Sequence, residues 1–462
     1  MHVWTSSSPW RRAAYVAVGL LLGVGPARAD DAGEPDAPPA SPPAAAPDDG
    51  NVTPDFDERV QAAVKRGVAW LRGRPRPNGS LGNLERSDEK TYDGTVGSYV
   101  EPYGGTSLLL YTLMKCGVPE SDPLVKNGLA WLRKSKDDGT AYEISMELLA
   151  VTATADPFKH AADSAAAGGK VRLSGENRAW AEGLLANLIK KRGTLGWRYW
   201  GRGDDNKGGN QDTSSTQLAV LAMFAAERCG LKIDPKIWSD VIRFALAQQE
   251  EDGPSRRRAV HPKPPPGRPP AGSSDGSTTA RGTDDDETPD KARGFAYVRL
   301  TGPDPEDREA SGAMTACGLG IVTMARFSLM TRSPKLWARE DAARVQQGVY
   351  DGLAWLDANW SPFKNKGGNG HWDLYYVYCV ERAMDLVGSQ RLGNHVWYLD
   401  MANEVLSKQR EDGSWTGGAA TTFHADTLDT CFALLFLQRA TRGGIPYPSV
   451  TGGSDVEPVD GR

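Results

Sequence analysis

Cysteine is sparse in this 462-residue chain: five residues at 116, 229, 317, 379 and 431, with no CxxC pair among them. An odd set so widely spaced argues against a disulfide framework. Lying mostly within apolar stretches, these cysteines read as small core residues. Blocks of basic residues are missing as well. Charges of both signs are interspersed and sum to −5, which excludes nucleic acid as the expected partner. The N-terminal apolar stretch, Ala13 to Val24, is too short to cross a bilayer.

That stretch follows Arg11 and Arg12 and precedes Ala27-Arg28-Ala29. Together they predict a secretory signal peptide over 1–29, cut after Ala29. A periplasmic or extracellular address is therefore expected, with no transmembrane anchor after cleavage. Residues 30–54, rich in Pro, Ala and Asp, predict a disordered linker, and 447–462 a flexible tail. The folded unit is expected over 55–446, long for one ordinary domain but suited to a ring of repeats.

Repetition is the dominant positive signal. Lys408 to Trp415 reads KQREDGSW: a helix end, an Asp-Gly turn and then an aromatic. Ser135 to Gly139 with Tyr142, and Gln249 to Gly253, are worn copies. Upstream, the helix itself repeats at Gly67 to Leu71 (GVAWL), Gly128 to Leu132 (GLAWL) and Gly352 to Leu356 (GLAWL). The first two copies begin 61 residues apart, the mark of one supersecondary unit used many times.

Apolar periodicity predicts about twelve helices in pairs. Amphipathic helices are expected near 58–72, 122–135, 177–191, 235–250, 342–358 and 396–410. More uniformly apolar ones are expected near 104–116, 142–154, 212–229, 310–328, 372–388 and 427–440. Half-polar helices need one wet face, whereas apolar ones must be covered all round. The expected fold is therefore all-α: an (α/α)6 toroid, with an inner barrel of apolar helices wrapped by amphipathic ones. Gly after each Asp would end an outer helix in the left-handed conformation. One turn is interrupted by about forty residues of Pro, Ser, Thr, Gly and Asp. This segment, 254–293, is expected to be a disordered surface excursion, since loop closure costs little with length.

The phrase QREDGSW closely resembles the QW repeat of squalene–hopene and oxidosqualene cyclases, α/α toroids related to protein prenyltransferase β subunits. Further phrases look like a bacterial branch of prenyltransferase/squalene-oxidase repeat proteins. These are Gln211 to Gln217, Gly312 to Ala316, Tyr375 to Arg382 and Asn394 to Tyr398. A squalene cyclase protonates an unactivated alkene with an aspartate-rich DxDD motif, and this chain contains none. The nearest string, Asp284 to Glu287, falls in the excursion and reads as a solvated charge run. The prenyltransferase branch needs zinc, held by an Asp-x-Cys pair and a His. Asp429 and Cys431, with His424, are the matching candidates here, but this His precedes the pair instead of following it. No cofactor is therefore expected.

A toroid places one ligand site at the mouth of the inner barrel, where inner-helix N-termini converge. Expected there as ligand-binding residues are His371, Trp372, Tyr375, Tyr376, His424, Trp197 and Trp200. Asp212, Asp373 and Asp426 are the catalytic candidates, although Asp at a helix start is also a preferred N-cap. Glu381-Arg382 reads as a structural ion pair or an inter-helix brace. The resulting expectation is an exported toroid that binds a hydrophobic small molecule, peptide or glycan. Two enzymatic alternatives stand beside it: a divergent isoprenoid cyclase, and a polysaccharide lyase or hydrolase.

Overall fold

A computed structural model describes residues 54–75, 79–81, 102–134, 139–156, 171–198, 211–260, 289–302, 304–367, 372–416 and 425–441. The signal peptide, all but the last residue of the linker, and the tail lie outside these. Twelve helices longer than two turns occur among the described residues. The odd-numbered ones are α1 Pro54–Arg72, α3 Pro123–Lys134, α5 Gly175–Lys190, α7 Pro235–Gln248, α9 Ala342–Ala358 and α11 Trp397–Ser407. The even-numbered ones are α2 Pro102–Lys115, α4 Ala141–Ala153, α6 Thr213–Arg228, α8 Gly312–Arg332, α10 Asp373–Val387 and α12 Ala425–Leu437. Two single helical turns and a two-residue β-ribbon complete the set.

The even helices pack in the order α2, α4, α6, α8, α10, α12 and back to α2, closing a ring. The odd helices lie outside it: α3 on α2, α5 on α4 and α6, α7 and α9 on α8, and α1 on α12 and α2. The fold is thus the expected all-α toroid. Burial follows the layers. Every residue of α10 is buried, and so is α6 apart from its last residue, whereas α3 and α5 bury only one stripe. Helix α8 is long and apolar enough to cross a membrane, but 83% of its most apolar window is buried in the ring. That is the burial of a core helix.

The turns explain the repeat. After α11, Gly413 takes φ +92°, and a Cβ there would lie 2.7 Å from the Arg66 carbonyl oxygen of α1. Glycine alone suits both demands. Trp415 N then donates to Thr430 Oγ1 of α12 at 3.0 Å. The same bond recurs from Leu81 N to Thr106, Trp197 N to Thr216 and Phe295 N to Thr315, at 2.9 to 3.1 Å. A clasp residue is thereby tied to the next inner helix. Its side chain meets the glycine of the next outer helix: Trp415 at Gly67, Leu81 at Gly128 and Phe295 at Gly352. In two copies a glutamine completes the grip. Gln409 donates to Ala63 O and Gln249 to Gly348 O, each four residues before the receiving glycine.

The expected excursion at 254–293 is ordered at both ends. Ser255–Arg256 pairs antiparallel with Asp290–Lys291, and Ala259 and Val260 are buried. Residues 261–288 lie outside the described set, as do Asp284 to Glu287. The root is held by buried carboxylates on either side of it. Asp290 accepts from Arg258 Nε and Nη2 and from Gln347. Asp351 of α9 accepts from Lys291 N and Arg293 Nε, both at 2.8 Å.

Inner and outer layers are also braced by Trp180 Nε1 of α5, which donates to Glu147 Oε1 of α4 at 2.9 Å. Burial pushes the Glu147 carboxyl from its ordinary value near 4.5 up to about 7, although the Trp180 bond opposes the shift. The folded chain therefore holds one more proton than the unfolded chain between about pH 4.5 and 7. This contribution is fully present below that window and is lost as pH rises through it. Glu147→Gln keeps an acceptor for Trp180 and removes the titration. It is expected to flatten the decline, raising stability at pH 8 on the order of 2 kcal/mol relative to the parent, as read by urea unfolding from pH 4 to 8.

Candidate functional site

At the end where the inner helices begin, the ring encloses a cavity of about 350 Å³. All six inner helices contribute to it. Leu108 comes from α2, Met146 from α4, Leu218 from α6, Met314 from α8, Tyr375 from α10, and Leu428 with Phe432 from α12. The walls are mostly apolar, because these side chains of the inner helices are aliphatic or aromatic. The rim is acidic. Glu306, Asp307 and Glu309, on the segment leading into α8, face the opening together with Glu143 of α4. Burial and neighbouring Asp304 raise the Asp307 carboxyl above its usual range. Glu143 N bonds Thr140 Oγ1 while Glu143 Oε2 accepts from Thr140 N, a capping box that fixes the carboxylate at the start of α4.

Hydroxyls form a polar stitch at one side of the cavity. Ser214 Oγ lies 2.7 Å from Tyr375 OH and is also hydrogen-bonded to Tyr142 OH. The Tyr375 ring packs on Phe432, centroids 5.4 Å apart. Burial holds the Tyr375 hydroxyl protonated well above its usual range. It can therefore donate or accept a hydrogen bond, but it does not supply charge.

Of the residues expected at the mouth, Trp372 and Tyr375 line the cavity. Trp372, at φ +67° and 39% exposed, stands at the start of α10. Tyr376 faces away from it, donating to Ser361 O at 2.9 Å. Trp197 is fully buried, its indole donating to Leu188 O, and serves as a clasp of the ring. His371, His424 and Trp200 lie outside the described residues.

The three aspartates expected to act as acids do not line the cavity, and each has a structural partner. Asp212 caps α6, accepting from Ser215 N at 2.7 Å and Ser215 Oγ at 2.8 Å. Asp373 binds Lys364 Nζ at 2.7 Å and Asn365 N at 3.0 Å. Asp426 pairs with Arg410 at 2.8 Å. Among the zinc candidates, Asp429 and Cys431 are buried in α12. Burial pushes the Cys431 thiol up to about 12 even with Thr112 bonded to it. Of the two readings of Glu381-Arg382, the inter-helix brace fits the contacts and the ion pair does not. Glu381 accepts from Thr441 N and Oγ1, whereas Arg382 turns to Cys379.

Glu143 and the 306–309 acids were not legible as site residues. The first reads as an ordinary helix-start glutamate, and the second follows the excursion as one more charged stretch.

No family model matches this chain, and no curated protein does. Solved structures similar to it include a variant of the type II terpene cyclase MstE from Scytonema in complex with geranylgeranyl dihydroxybenzoate. That pair has a TM-score of 0.44 and 10% identity, over 83% of this chain and 98% of the other. Another is an inactive variant of an α-1,6-mannanase of Salegentibacter in complex with α-1,6-mannotriose, at TM-score 0.45 and 9% identity, over 83% and 98%. At these values the likeness reaches neither a residue role nor an activity.

Proposed function

We propose that this protein binds an elongated apolar small molecule at the mouth of its inner barrel and does not cyclise it. The observation that carries the reading is the cavity itself, apolar on its walls and built by every inner helix. Its volume lies at the lower end of the range of about 300–1,000 Å³ for small-molecule sites. At about 30 Å³ for each water-sized group, it holds on the order of a dozen such groups. That suits a medium acyl chain or most of the tail of a fifteen-carbon isoprenoid, with its head at the mouth, and is too little for a whole triterpene. Four carboxylates at the opening disfavour a diphosphate or carboxylate head and favour a neutral or cationic one. The aspartates that a cyclase reading would use are engaged elsewhere, and the hydroxyls within the cavity are not acids.

Farnesol and farnesylamine are the probes. Calorimetry is expected to give saturable one-to-one binding of both, with the amine tighter and farnesyl diphosphate at least tenfold weaker. Leu428→Trp should fill the cavity and weaken both at least tenfold, leaving the melting temperature within about 3 °C. Absence of saturable binding, preference for the diphosphate, or conversion of farnesol into a new product would each overturn the reading.

A further inference from the structure

Deeper in the barrel, helices α8 and α10 bring together three buried side chains that ligand binding does not use. Cys317 Sγ donates towards Cys379 Sγ at 3.5 Å, and Arg382 Nη2 donates to the same sulfur at 3.0 Å. Both cysteines and the arginine are fully buried. The guanidinium stacks over Tyr378, 4.0 Å from the ring centroid. Its Nε and Nη1 have no hydrogen-bond acceptor among the described residues. Among the described residues it forms no ion pair with a carboxylate; neighbouring Glu381 directs Oε1 to Thr441 N and Oγ1, and burial raises its carboxyl well above the usual range.

A guanidinium does not shed its proton, and burying a cation without a counter-charge is strongly unfavourable. The hydrogen bond that Arg382 Nη2 makes goes to a titratable atom, the Cys379 sulfur. Ionising that thiol supplies the missing charge, and Cys317 adds a donor to the resulting anion. The energetics agree. Burial raises the Cys379 thiol, but the Cys317 bond and the Arg382 charge bring it down to about 7. Cys317 is itself held well above its usual range by burial. The arrangement thus favours the thiolate at Cys379 and the thiol at Cys317, the division of roles a reacting pair requires.

We propose that Cys317 and Cys379 form a peroxide-reactive dithiol that closes to a disulfide between inner helices α8 and α10. The Cys379 thiolate attacks one peroxide oxygen, and the O–O bond breaks. Hydroxide leaves, takes a proton and becomes water, with the sulfur oxidised to a sulfenic acid. The Cys317 thiol then gives up its proton as its sulfur attacks Cys379. The S–O bond breaks and a second water leaves. Two thiols lose two electrons, and one hydrogen peroxide becomes two waters. Access comes from the cavity. Tyr375 lines it, and the Tyr375 hydroxyl is 3.6 Å from Cys317 Sγ, so the sulfurs sit one side chain away from it. Peroxide is water-sized and can cross that layer, whereas bulky disulfides cannot. The other thiols lack this setting: burial pushes Cys229 and Cys431 up to about 12 and Cys116 higher still.

The test uses the folded full-length chain, hydrogen peroxide at a few equivalents, and alkylation after denaturation. Mass spectrometry is expected to find a loss of two hydrogens, a peptide linking 317 to 379, and alkylated Cys116, Cys229 and Cys431. A 317–379 link already present in freshly isolated protein supports the proposal equally. Cys317→Ala should trap a sulfenic acid at Cys379 that reacts with dimedone. Arg382→Met, if it folds, should slow the reaction roughly tenfold. Five free thiols after peroxide, or oxidation beginning at Cys116 with no 317–379 link, would overturn the proposal. So would a Cys317→Ala variant that folds and yields no dimedone adduct.

Discussion

Trp415→Ala is expected to destabilise the ring by about 3–5 kcal/mol, the range for emptying a fully buried aromatic site. Trp415 is 0% exposed, and it works at the seam where the last repeat meets the first. Its backbone N is tied to Thr430, and its indole nitrogen donates to Val405 O at 2.7 Å. Its ring fills the space over Gly67 of α1, where an added Cβ would lie 2.9 Å from the indole and from Leu434. Around it, Gln409 bridges Ala63 O and Gly413 O at 2.9 Å each, and Asp412 accepts from Trp70 Nε1 at 3.1 Å. The contacts to Ala63 and Trp70 join residues more than 340 apart in sequence, so closing the seam carries the loop-closure cost of nearly the whole ring. Gly67→Ala alone should cost about 1–3 kcal/mol by overpacking. In the double variant the new methyl occupies part of the vacated space, so the total falls short of the sum by more than about 0.5 kcal/mol. Equilibrium urea unfolding followed by circular dichroism measures all three. Strict additivity would show that the indole and Gly67 are not packed as a unit.

The seam also shows why the architecture was legible. Gly67, Gly128 and Gly352 recur because each receives the clasp residue of the preceding repeat, and the Asp-Gly turns recur because they aim that residue. A pattern used several times leaves a periodic trace that survives substitution of Trp415 by Phe295 or Leu81 in equivalent places. Helix type followed from the same logic, since only covered helices can be apolar all round. The threonines at 106, 216, 315 and 430 were equally regular, yet a hydroxyl among small residues carries no signal until its partner is known.

The site was only half visible, for a physical reason. An Asp before an apolar helix looks the same whether it caps the helix or faces a ligand. Asp212, Asp373 and Asp426 turn to Ser215, Lys364 and Arg410, and a sequence does not say which way a side chain turns. Trp372 and Tyr375 line the cavity because the start of α10 lies at the mouth by topology alone. Tyr376, one residue on, points outwards, as a helix rotation of about 100° requires. Cys317 and Cys379 were read singly as core residues. Their separation of 62 residues, nearly one repeat, places them on neighbouring inner helices, and that spacing was the available clue.

Asp351→Ala is expected to destabilise the fold by a comparable amount, about 3–5 kcal/mol, although it lies in a helix and removes little apolar volume. Asp351 is 1% exposed and is the only carboxylate in ion-pair contact with Arg293 among the described residues. Besides Arg293 Nε and Lys291 N, it receives Gln347 Nε2 at 2.8 Å. Removing it leaves a half-buried guanidinium, a backbone N–H and an amide to find other partners. The damage then spreads. Gly294 and Phe295 follow Arg293 directly, and Phe295 is the clasp that fills the space over Gly352 and binds Thr315. Asp351→Asn retains the shape but loses the charge, so it should fall between parent and alanine. Arg293→Met in the Asp351→Ala background should recover part of the loss, because the uncompensated cation disappears with it. Thermal and urea unfolding of the four proteins decides the matter. If Asp351→Ala costs less than about 1 kcal/mol, the root of the 254–293 segment is held by something other than this carboxylate.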